Sequence, residues 1–153
     1  MAIQLKSKVE KEMRDEASEY SAKPVSGNLD AMVSACVSEL MNAGTAFHKL
    51  HLKVTGAGSY AAHKALNEIY DELPEHADTI AEEYQGAAEK ILVYKEVPPR
   101  VLNTVKEGLT YLRDIKDMVS ELQEELPYSE IINQLDNVKS SINSVKYKLL
   151  FLS

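Results

Sequence analysis

His51, His63, Asp78 and Glu82 are the residues of this chain whose types and spacing could do chemistry. Two imidazoles offer neutral nitrogen donors and two carboxylates offer oxygens that neutralise charge, a set suited to Fe(II), with Zn(II) as an imitator. The absence of thiolates from the set argues against a structural zinc knot. Both histidines flank the loop Thr55-Gly56-Ala57-Gly58-Ser59, so an antiparallel helix pair brings them to about the same height. The acids cannot join them so simply: Asp78 lies fifteen residues beyond His63, roughly 22 Å along a helix at about 1.5 Å per residue. Either the acids do unrelated work, or a second copy of the helix, running the opposite way, carries its own Asp78 and Glu82 back to His51 and His63. His63, Asn67, Asp71, Asp78 and Glu82 recur at helical steps and share one slowly turning face. A two-fold axis near residues 72 and 73 sets position 63 against 82 of the other copy and 67 against 78, which creates two equivalent sites. There Asn67 offers only an uncharged amide oxygen, for a water or a weakly bound second ion. The plainer reading makes the acids a solvated helix face and the histidines packed side chains.

Helices must position these residues. From Asn28 to about Val54, apolar residues including Leu29, Val33, Cys36, Leu40, Phe47 and Leu50 recur at three- and four-residue steps, with Asn28 or Asp30 as N-cap. Ser59 opens a second helix that runs to about Gly86, through Pro74, where a kink in a continuous helix is expected because the period resumes in phase. A linker with Val97-Pro98-Pro99 leads to a third helix, from about Val101 to Leu122. Pro127 ends it, and Ser129 with Glu130 opens a fourth that continues through Leu152. Five prolines and six glycines are few for an all-β protein. The fold expected is all-α: an antiparallel four-helix bundle of two hairpins over 28–153, preceded by a short arm over 1–27 that holds a short helix and the breakers Lys23-Pro24-Val25-Ser26-Gly27. Tyr60 and Tyr70 are expected in the core, and His48 and His76 at the surface.

A formal charge of −7 argues against nucleic-acid binding by the whole surface. The N-terminal arm does not reverse this, since Lys6, Lys8, Lys11 and Arg14 are outnumbered by Glu10, Glu12, Asp15, Glu16 and Glu19. No stretch approaches eighteen apolar residues, the start has no secretory pattern, and the lone Cys36 allows no intrachain disulfide, so a cytoplasmic protein without a membrane partner is expected. The Gly56-Ala57-Gly58 turn has no strand before it, which leaves a nucleotide site without support.

The segment from His51 through Gly56, Gly58, Tyr60 and His63 to Asp78-Thr79-Ile80-Ala81-Glu82 resembles the signature of the Dps-like mini-ferritins. The likeness covers about thirty-five residues. It implies a ferritin-like bundle with a ferroxidase centre at a two-fold subunit interface, usually within a hollow twelve-subunit shell. Iron would be oxidised by hydrogen peroxide or dioxygen and stored or detoxified, with His51, His63, Asp78 and Glu82 as ligands. The chain departs from the pattern at Asn67, where the family commonly has an acid, at Leu52, where an aromatic is frequent, and at Glu83, where Arg is frequent. Tyr84-Gln85-Gly86 looks more like divergent ferritin-like proteins of tailed phages, which would place the protein in a host cytoplasm. The competing expectation is a helical structural or adaptor protein that kept the bundle and lost the metal chemistry.

Overall fold

A computed structural model describes residues 27–153, and the expected arm lies outside them apart from Gly27. Four helices follow in order: α1 (Gly27–His51), α2 (Ser59–Ala88), α3 (Val105–Glu125) and α4 (Ser129–Phe151). They form the expected all-α bundle. Each presents one stripe of aliphatic and small residues inward, and Val33, Leu40, Phe47, Leu66, Ile69, Leu73, Leu112, Ile142 and their neighbours close a single core.

Contacts between elements fix the direction of every helix. Gly44 lies against Pro74 and His51 against His63, so α1 and α2 run antiparallel. Lys148 meets Glu68, Ser141 meets His76 and Gln134 meets Glu83, which makes α4 antiparallel to α2. Gly108 lies against Leu50 while Tyr111, stacked on Phe47 at 5.5 Å, reaches Glu39, and Lys116 reaches Asn143 while Gln123 reaches Asp136, so α3 opposes both α1 and α4. The order is up, down, down, up. Two consecutive down helices require residues 89–104 to run back along the bundle, and an extended chain of that length reaches about 50 Å where α1 spans about 37 Å.

This crossover is pinned throughout. Lys90 pairs with Asp30 at 2.6 Å, Asn42 donates to the Val97 carbonyl at 2.7 Å, and Arg100 pairs with Asp114 at 2.6 Å while lying over the Tyr111 ring. Leu92 and Leu102 turn into the core, whereas Ile91, Val93 and Val101 face out.

Helix ends differ from the sequence-based expectation where caps decide. α1 starts at Gly27, and Asp30 in its first turn accepts from the Tyr84 hydroxyl at 2.6 Å rather than capping. Gly58, at φ 76, precedes Ser59, which is the first residue of α2 and not its cap. α2 passes Gly86 and stops at Ala88, with Glu89 left-handed at φ 53. α3 begins at Val105 because Thr104 and Glu107 form a capping box, leaving Val101 on the crossover. Pro74 sits inside one continuous helix.

Pro74 also sets the closest approach of the bundle. A Cβ on Gly44 would lie 2.6 Å from Pro74 Cγ and 3.3 Å from the Tyr70 carbonyl, the acceptor that proline cannot bond. Gly44→Val is therefore expected to lower stability by about 2 kcal/mol through forced separation of α1 and α2, read as a lower urea midpoint with an unchanged slope. Gly86→Ala, where an added Cβ meets nothing, is expected to raise stability by up to about 1 kcal/mol.

Candidate functional site

The end of α1 and the first turns of α2 bring His51 and His63 together as expected. Their rings stack at 3.7 Å between centroids, 24° from parallel. His51 is 8% exposed, and neither of its ring nitrogens has a hydrogen-bond partner. Burial holds its pKa below the ordinary histidine value, helped by the neighbouring His63 and His48 and opposed by Asp71. His51 is thus a neutral base with an unengaged lone pair.

His63 is half-buried, and its Nδ1 lies 3.1 Å from the His51 carbonyl oxygen. A carbonyl only accepts, so Nδ1 is the donor and Nε2 is the ring nitrogen left to face a ligand. This is how backbone carbonyls orient metal-ligating histidines.

Two more rings, one expected in the core and one at the surface, extend the pair. Tyr70 meets His51 edge-on at 5.0 Å and stacks on His48 at 4.0 Å. Tyr70 is half-buried at the α1–α2 seam, and His48, though exposed, is held by that stack. The one available signal was the i, i+3 step from His48 to His51. Tyr60 is not in the core: it is 76% exposed, because the first turn of α2 points it away from α1 and α4. His76 is half-buried rather than superficial, with Nε2 2.9 Å from the Ser141 hydroxyl. Burial lowers its pKa against the raising influence of Glu72 and Glu75.

Asn67 stands one turn below His63 with its amide engaged. Its Oδ1 accepts from the Tyr70 hydroxyl at 2.9 Å, and its Nδ2 donates to Asp71 at 2.9 Å. Asp78 and Glu82 are exposed further along α2, on the side that faces neither core nor α4. Among the described residues of one chain, no group of three or more His, Cys, Asp or Glu side chains converges as an ion site. The histidines meet and the acids stay apart from them.

Charge is segregated along this hairpin. Lys49, Lys53 and Lys64 gather with the histidines at the loop end, while Asp71, Glu75, Asp78 and Glu82 occupy the outer face below, and no Lys or Arg falls between Lys64 and Lys90. Cys36 is buried with its thiol pushed up to about 12 by desolvation, so it takes no part in this chemistry. Among the described residues no helix is long and apolar enough to cross a membrane.

The lowered pKa values of His51 and His76 give the fold a pH dependence of definite sign. On acidification the unfolded chain binds protons first, near the ordinary value of 6.5. The contribution to stability is complete above that value and is lost as pH falls toward the depressed native values. Urea midpoints are expected to drop between pH 7.5 and pH 5.5, and the His51→Phe, His76→Gln double variant is expected to show a shallower drop.

No curated protein and no solved structure matches the chain. A family model does, over residues 51–149, from the buried histidine at the end of α1 through α4. By that match the chain belongs to the family of unknown function DUF5856.

Proposed function

We propose that this protein binds Fe(II) between two copies of itself and oxidises it with hydrogen peroxide or dioxygen, as a ferritin-like protein that stores or detoxifies iron. The observation that carries the proposal is the state of the histidine pair. His51 is buried and neutral with both nitrogens unengaged, and His63 is oriented by a backbone carbonyl so that Nε2 is free to ligate. Buried polar atoms without partners are uncommon in native proteins, and a ligand is one explanation for them.

Two neutral imidazoles alone leave a divalent ion's charge uncompensated, and hard ferrous or ferric iron favours carboxylate oxygens. Asp78 and Glu82 are exposed on the face that continues from His63 and are free to serve a neighbouring molecule. A two-fold axis near residues 72 and 73 brings the second copy's acidic half over the first copy's basic, histidine-bearing half, so the charge segregation favours this antiparallel arrangement. The single long crossover is also the connectivity of ferritin-like bundles. In this reading His51 and His63 hold Fe(II), Asp78 and Glu82 of the other copy bridge and neutralise it, and Asn67 leaves the second metal position weak.

A second reading, a structural or adaptor bundle with a degenerate site, is favoured by Asn67, whose amide is already spent on Tyr70 and Asp71. Metal content after soaking with Fe(II) or Zn(II) separates the two: protein that stays metal-free supports the adaptor.

The decisive measurement is complementation. His51→Ala with His63→Ala is expected to abolish stoichiometric Fe(II) oxidation while leaving the helical circular dichroism intact, and Asp78→Ala with Glu82→Ala to do the same. Refolding the two inactive variants together is expected to restore about a quarter of the wild-type sites, since half the random dimers are mixed and each holds one intact site. Absence of recovery in demonstrably mixed dimers overturns the shared site.

A further inference from the structure

Leu52 is the first residue past α1 and is 72% exposed. The turn that presents it is fixed. The Lys53 amide bonds the Leu50 carbonyl, and the Lys53 ammonium reaches the Leu102 carbonyl at 2.8 Å and Asn103 at 3.1 Å. An exposed leucine on a pinned turn, between Lys49 and Lys53, is an unpartnered apolar knob.

Toward the other end of α1 lies an apolar groove of about 420 Å³. Ala31, Ala35 and Ser38 of α1 form one wall, and Ile91, Val93 and Val97 of the crossover form the other. Ile91 and Val93 are 82% and 81% exposed, so its rim is as unpartnered as the knob.

We infer that Leu52 of each copy seats in this groove of a second copy, making the groove the docking site that closes the dimer around the metal pocket. The inference rests on the two-fold reading proposed above and names the contact that reading lacks. Gly44 lies beside Pro74 and His48 beside Tyr70, so an axis passing α2 near residues 72 and 73 passes α1 near residue 45. Leu52, seven positions above that level, comes level with Ser38, seven below it, on the groove wall.

The same operation brings Tyr60, 76% exposed, level with Gln85. The Gln85 side chain holds the Leu92 amide at 2.9 Å, beside exposed Ile91 and Val93. The match of His63 with Glu82 sets this axis independently of the groove and the knob. Both exposed apolar projections of the loop end thus come to the height of the groove between α1 and the crossover. Charge on α2 agrees, since Lys64 comes level with the turn that carries Glu82 of the other copy, while Asp30 and Lys95 also line the groove.

The contact is tested by air oxidation of a Leu52→Cys, Ser38→Cys double variant of the full chain, with buried Cys36 left in place. A disulfide-linked dimer is expected on non-reducing gels from the double variant, and from neither single variant. Leu52→Asp is expected to weaken self-association at least about tenfold by light scattering, with unchanged helical circular dichroism, and Leu52→Met to retain it. Dimers that form without the cross-link, or a Leu52→Asp variant that associates like wild type, overturn the inference. Iron chemistry does not enter this readout. A cross-linked dimer that binds no Fe(II) upholds the contact and removes only the metal reading, whereas complementing iron sites without the cross-link remove only the contact.

Discussion

The close approach of α1 and α2 at Gly44 and Pro74 is the constraint on which the site depends. With no side chain at Gly44, the proline ring packs directly onto the α1 backbone, and the two helix axes come close midway along their length. From that pivot the seam upward accommodates flat rings: His48 on Tyr70, Tyr70 against His51, and His51 on His63. A wider helix pair would leave His51 open to water. Its nitrogens would then find solvent partners, and the depression of its pKa would shrink, because desolvation is the largest cause of that shift.

How much of this was legible in the sequence follows from which interactions are local. Helix faces were legible because a 3.6-residue period is written into residue type, and Leu29, Val33, Cys36, Leu40, Phe47 and Leu50 are all buried as the pattern requires. Helix ends were less so, because caps depend on conformations that compete closely. Glu89 takes a left-handed conformation where Gly86, three residues earlier, looked the better stop, and Thr104 capped α3 where the apolar pattern suggested Val101. Tyr60 was misplaced because an aromatic in the first turn of a helix obeys the period only if a neighbour covers that turn, and here none does.

The site divides along the same line. The meeting of His51 and His63 was legible from a short loop between antiparallel helices, a matter of chain connectivity. The tautomer of His63, the unengaged nitrogens of His51 and the Tyr70 to Asn67 to Asp71 chain depend on how α1 and α2 rotate against each other, which no spacing encodes. The role proposed for Asp78 and Glu82 needs a second molecule and is one step further removed.

Electrostatics explains why an oxygen-rich pocket would be divided between two molecules rather than built in one. Carboxylates packed beside a buried histidine in the same chain would draw a proton to it, raising the pKa that burial depresses, as Asp71 already does weakly from its exposed position. A protonated imidazole cannot ligate a cation. Keeping the acids about 22 Å away along α2 leaves His51 neutral in the single chain, and in the proposed dimer the negative charge would come only when a second copy docks. In that arrangement the ion and its counter-charges arrive together, and neither a bare cation nor an uncompensated carboxylate cluster has to be buried alone. In the proposed dimer the exposed acids, solvated in the single chain, would become ligands by assembly.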